Sequence, residues 1–151
     1  MRTFQVSRRI AASREAAWNV LADVAAWPGW LPTVTALEAL DGGALKVGAR
    51  YLLHQPRLRP AVWTVTDLEP GRRFVWQARS PGLRMRAEHI LLDESSSSSK
   101  VVLRFTFAGP IGGLLGWFYR ALTEEYIALE AASLAHRAEA LQGPAAPAAG
   151  A

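Results

Sequence analysis

The chain has 151 residues, half of them hydrophobic and a fifth charged, with a net charge of +4. That length suits one domain rather than two, and that composition excludes wholesale disorder. No cysteine is present, which excludes disulfides, thiolate nucleophiles and Cys-ligated zinc or iron–sulfur sites.

The N-terminal strand is read over Thr3 to Ile10, where Phe4 and Val6 alternate with Gln5 and Ser7. The segment Met1 to Arg9 has arginines but no following apolar run, so it is not read as an export signal. Ser13 offers an N-cap and Glu15 sits in the first turn of a helix carrying Ala17, Trp18, Leu21 and Ala22. A second short turn covers Ala25 to Trp27, and Pro28, Gly29 and Pro32 stop it.

From Val34 the period changes to two. The expected strands are Val34–Leu40, Arg50–Gln55, Ala61–Glu69, Phe74–Ser80, Leu83–Leu92 and Val101–Ala108. The intervening Gly/Pro turns are short, which implies antiparallel neighbours. Ser95 to Ser99 reads as a flexible hairpin loop. After Gly109-Pro110 the period becomes helical again. One helix from about Gly112 to Leu141 is expected, with Leu115, Phe118, Leu122, Tyr126, Leu129, Ser133 and His136 near one stripe. The expected class is α+β: a curved antiparallel sheet of about seven strands, two short helices, and one long C-terminal helix over the concave face. Residues 1–141 form the domain, and the uncharged 142–151 segment is expected to be a disordered tail.

Alternation sorts the strands into two faces. Tyr51, Leu53, Gln55, Trp63, Trp76, Met85, Ala87, His89, Phe105 and Phe107 fall on an apolar, aromatic face expected to meet the helix. Arg84, Arg86, Glu88 and Arg104 fall on the opposite, polar face. The apolar face has two readings, a packed core or a ligand pocket. Gln55 and His89 on that face, and small Ala78 and Ala87 beside them, favour the pocket, because buried polar groups need partners and missing bulk leaves space. The candidate ligand contacts are therefore that strand face together with Trp30, Phe118, Leu122 and Tyr126.

The residues carrying candidate chemistry are few. His89 is the one histidine on the inward face, so His89 and Tyr126 are weak candidates for moving protons. Glu125 lies near the helix stripe, while Glu124 has Arg120 one turn earlier as a natural partner. His54, His89 and His136 are far apart in sequence, and no close histidine–carboxylate spacing suggests a metal. The glycine-rich run from Gly109 to Gly116 reads as a hinge or portal at a pocket mouth, with Leu114, Leu115, Trp117 and Phe118 nearby. The arginines are scattered and the aromatics face inward, which argues against a nucleic-acid surface. No stretch reaches the ~18 apolar residues of a membrane span. The protein is expected to be cytoplasmic, without cofactor or stable membrane insertion, and a homodimer stays open.

Several segments also resemble a known superfamily: Ala17-Trp18, Asp23, Trp27, Trp30, Pro32, Val47-Gly48, Trp63-Thr-Val-Thr, Glu69-Pro-Gly-Arg-Arg-Phe-Val-Trp76 and Gly109-Pro-Ile-Gly112. With the order of elements, they look like the START-like (SRPBCC) superfamily and its bacterial polyketide cyclase/dehydrase branch. The resemblance implies a helix-grip fold with a hydrophobic cavity between sheet and long helix. It implies a bound lipid, polyketide or aromatic metabolite, or alternatively cyclase or dehydratase chemistry in the same pocket.

Overall fold

Short turns between successive strands leave antiparallel pairing as the only geometry, and the strands form one seven-stranded sheet. A computed structural model describes residues 1–142. Its elements are β1 Arg2–Ile10, α1 Arg14–Ala22, a 3-10 helix Val24–Gly29, β2 Ala36–Ala39, β3 Arg50–His54, β4 Ala61–Glu69, β5 Arg73–Ser80, β6 Leu83–Asp93, β7 Ser99–Ala108, α2 Gly112–Phe118 and α3 Arg120–Leu141. The strand order is β1-β7-β6-β5-β4-β3-β2. The first strand therefore pairs with the last, from Arg2 opposite Phe107 to Ile10 opposite Ser99. Among the described residues no helix is long and apolar enough to cross a membrane.

Local chemistry sets the boundaries. The Ser13 hydroxyl accepts from the Ala16 amide at 3.1 Å and opens α1. The Trp27 indole N–H donates to the Leu21 carbonyl at 3.0 Å and folds the 3-10 segment back on α1. In β4 the register slips between Val65 and Asp67. This bulge turns Leu68 inward opposite Phe74 and Asp67 outward opposite Val75, a phase change that simple alternation cannot anticipate.

Several expectations change. The serine run is only partly a loop: Ser98 and Ser99 are buried, and Ser99 opens β7 with its hydroxyl donating to the Ala12 carbonyl at 2.9 Å. Glu88 lies on the polar face yet is buried, because Arg104 and Arg86 cover it at 3.2 and 3.5 Å. A carboxylate flanked by two guanidiniums keeps its charge satisfied without bulk water.

The single terminal helix is two. The chain breaks at Tyr119 (φ −93°, ψ 12°), between α2 and α3. The buried positions Gly112, Gly116, Thr123, Ile127, Ala131, Leu134 and Ala138 keep one helical phase across the break, and the expected stripe lies about one residue off it. α3 buries Thr123, Ile127, Ala131, Leu134, Ala135 and Ala138, while Phe118, Leu129 and His136 are exposed. The alanines let α3 approach β1, β7 and α1 closely, and the Ala11 amide donates to Glu139 Oε2 at 2.9 Å at that end. Gln142 caps α3, and the rest of the expected tail, 143–151, lies outside the described residues.

Candidate ligand-binding site

The interior has two halves. Beneath α1 and the 3-10 helix it is packed. Trp27 meets Trp76 at 5.2 Å between ring centroids, and His89 stacks on Phe74 at 4.1 Å and 12°. Tyr51 and Leu53 are buried in the same cluster, as is Ala87. Under the N-terminal half of α3 the interior is open. There Leu122, Thr123, Tyr126 and Ile127 of α3 face the sheet across the gap.

The opening is a cavity of ≈ 790 Å³. Its floor is Trp63, Ala78, Met85, Phe105 and Phe107, and its roof is Leu115, Tyr119, Leu122, Thr123, Tyr126, Ile127 and Glu130. Gln55, Arg57, Leu58, Arg59 and Pro60 of the β3–β4 turn form one rim, and Arg79, Ser80 and Leu83 of the β5–β6 hairpin another. The floor aromatics hold each other: Trp63 lies 5.9 Å from Phe105, and Phe105 5.0 Å from Phe107. Small Ala78 leaves the volume that a larger side chain would occupy.

This apolar hollow, closed on one side by a curved antiparallel sheet and on the other by a terminal helix, accords with a sequence match. A family model described as polyketide cyclase/dehydrase and lipid transport fits residues 1–141. The chain belongs to that polyketide cyclase/dehydrase family. No curated protein is a detectable sequence relative. Among solved structures the fold is similar to the Zhui aromatase/cyclase from Streptomyces sp. R1128 (TM-score 0.78, 21% identity, 96% of this chain and 98% of that one). It is also similar to a START superfamily protein from Mycobacterium smegmatis (0.73, 16%, 92% and 98%). A third similar structure is a norcoclaurine synthase from Thalictrum flavum (0.72, 14%, 94% and 96%). At these identities the likeness is one of fold, the START-like helix grip.

Within this polyketide cyclase/dehydrase-family domain, the expected contacts divide. Gln55, Trp63, Met85, Phe105, Phe107, Leu122 and Tyr126 line the cavity. Tyr51, Leu53, Trp76, Ala87 and His89 belong to the packed half. Trp30 sits on the far side of Trp27, in a shallow depression of ≈ 290 Å³ between α1 and the end of α3. Phe118 points to solvent, 67% exposed, because it takes the face of α2 away from buried Gly112 and Gly116.

Periodicity places His89 on the inward face correctly but cannot tell that packing excludes it from the cavity wall. Its Nδ1 faces the Phe74 carbonyl at 3.3 Å, and its Nε2 lies 3.2 Å from Glu130 Oε1. That second approach is close but poorly directed, so Oε1 accepts no hydrogen bond. The sequence reading missed Glu130. The signal was there: Leu122, Tyr126 and Glu130 follow at i, i+4 and i+8 on one helix face. Trp63 Nε1, buried in the floor, is also without a partner.

The rim is latched to the roof. The Tyr126 hydroxyl donates to the Pro56 carbonyl, and Arg57 pairs with Glu125 at 2.8 Å. Glu125 thus serves the rim, and its hydrogen bond raises the Arg57 pKa above the ordinary value. Arg57 holds φ +65°, a left-handed conformation unusual for a residue with a Cβ. Arg120 leaves Glu124 alone and instead stacks over Trp117 at 4.7 Å.

Proposed function

We propose that the chain binds a small, largely apolar organic molecule, such as a lipid, polyketide or aromatic metabolite, between the sheet and α3. The observation that carries this reading is the ≈ 790 Å³ aromatic-floored cavity. Ligand pockets run to ~300–1,000 Å³. Left dry at ~24 cal/mol per Å³, this one would cost about 19 kcal/mol, more than a domain's ~5–15 kcal/mol of stability. Water or a ligand must fill it, and an aromatic floor favours an apolar ligand.

Glu130 sets a carboxylate among largely apolar lining residues, and a ligand hydroxyl can donate to it. The test is titration with the apolar fluorophore N-phenyl-1-naphthylamine. Saturable uptake is expected, weakened tenfold or more by Ala78→Phe, which fills the floor. No uptake by the wild-type chain, and no co-purifying species in native mass spectrometry, would end the reading.

The second reading is cyclase or dehydratase chemistry in the same cavity. What favours it is Glu130, a carboxylate in an apolar wall with an imidazole behind it. Such a pair takes a proton from substrate and returns it. Turnover of a candidate polyketone, followed by the absorbance of the aromatic product, should fall about 100-fold or more in Glu130→Gln. Fluorophore affinity should be retained. An unchanged rate in that variant removes Glu130 from the chemistry.

A further inference from the structure

α2 turns an apolar face to solvent beside the cavity mouth. Leu114 is 68% exposed, Phe118 67%, Trp117 51% and Ile111 42%. Leu115 and Tyr119 of the same segment line the cavity, so the patch and the cavity share a wall. The orientation is fixed by glycine. A Cβ on Gly112 would meet the Phe107 carbonyl carbon at 2.9 Å, and one on Gly116 the Arg2 Cβ at 2.9 Å. Only the glycine face can lie this close to the sheet, which leaves the large side chains outside. Single exposed apolar residues are ordinary, but a cluster of this kind marks an interaction surface.

Four arginines flank the patch, with exposed Glu124, one turn beyond Arg120, the nearest acidic residue in sequence. Arg120 stacks over Trp117 at 4.7 Å, and Arg2 lies against Gly116. Arg79 and Arg84 face each other across the β5–β6 hairpin, whose Gly82 carbonyl accepts from the Ile111 amide at 3.1 Å. None of these four arginines forms an ion pair among the described residues. No acidic residue occurs between Glu94 and Glu124. A second copy of the patch would bring arginine against arginine. An anionic lipid surface accommodates both the apolar and the cationic groups.

We infer that α2 docks the protein on anionic phospholipid bilayers. Leu114, Trp117 and Phe118 enter the headgroup boundary, and the arginines meet lipid phosphates. Docking brings the cavity wall to the bilayer, so an apolar ligand passes between them with little exposure to water. That last consequence rests on the ligand-binding reading, whereas docking itself does not.

The test uses the full chain with phosphatidylcholine vesicles, with and without phosphatidylglycerol. Co-sedimentation is expected with the anionic vesicles, falling as salt rises. Brominated lipid should quench tryptophan fluorescence, and Trp117→Phe should remove most of that quenching. Leu114→Ser with Phe118→Ser should weaken vesicle binding tenfold or more at unchanged Tm and unchanged fluorophore uptake. Arg84→Glu should weaken it about fivefold or more. Vesicle binding without fluorophore uptake supports docking and removes only the transfer step. The inference is overturned if the wild-type chain ignores anionic vesicles, or if the double variant binds them as well as wild type. It is also overturned if the wild-type chain is a dimer that the double variant splits, since the patch is then a contact between copies.

Discussion

At the scale of single residues, Tyr51 and Asp41 show how one contact region responds to pH in two directions. Burial raises the Tyr51 pKa, with the Asp41 charge adding to it, and the hydroxyl donates to the Gly43 carbonyl at 3.2 Å. A raised acid pKa means stability that is complete below the unfolded value of ~10 and is lost as pH rises through the folded one. In an absorbance titration near 295 nm, Tyr51→Phe should remove an ionisation lying above the ordinary tyrosine range. Asp41 behaves oppositely. Hydrogen bonds from the Arg50 side chain (3.0 and 3.2 Å) and amide (2.8 Å) hold its pKa below the ordinary value. Its contribution is present above pH ~4 and is lost as pH falls through the lowered value. Asp41→Asn should therefore flatten the acid limb of a stability–pH curve and, by removing the charge that adds to the Tyr51 shift, move the alkaline limb slightly to lower pH. His89 makes a third case. Its ring fills the space between Phe74 and Trp76, so His89→Ala should cost about 2–5 kcal/mol in urea denaturation, as other large-to-small core changes do. Loss of activity in that variant would report a damaged core as readily as lost chemistry, which makes Glu130→Gln the cleaner probe.

At the scale of elements, two devices hold the cavity roof to the sheet, a glycine contact and a latch. Gly112 must lie against the Phe107 backbone, with its carbonyl oxygen 3.0 Å from where a Cβ would sit. Gly112→Ala should cost about 1–3 kcal/mol, read as a lowered Tm, because a strand backbone cannot rotate away as a side chain can. The latch joins the β3–β4 turn to α3 through Tyr126–Pro56 and Arg57–Glu125. The ion pair is exposed and worth little to stability, ~0–1 kcal/mol. Its effect should be kinetic. Tyr126→Phe combined with Glu125→Gln should speed release of the fluorophore in stopped-flow measurements while shifting Tm little. An unchanged off-rate would mean that ligands leave past the β5–β6 hairpin instead.

At the scale of the whole molecule, the interior is divided by what α3 carries along its length. Its alanine end closes on β1, β7 and α1, and its Leu122–Tyr126 end stands over the open floor. Trp27, Phe74 and Trp76 then fill one half of the concave face, and the cavity occupies the other. Strand positions, most turn positions and the polar–apolar alternation were legible in the sequence, because each depends on neighbours within a few residues. So was the aromatic identity of the floor, and with it the family resemblance. What the sequence could not decide was distance. Whether Trp76 and His89 pack or line a void depends on Trp27 arriving from another element. Whether Phe118 or Ile127 faces inward depends on which side of the terminal helices meets the sheet, fixed where Gly112 and Gly116 lie against Phe107 and Arg2. Whether Glu88 is solvated depends on Arg86 and Arg104 lying across it. Period-two alternation tells which side of a sheet a residue takes, but only the approach of a second layer determines whether that side is filled. That approach is set by contacts between residues far apart in the chain, and the tertiary structure alone supplies them.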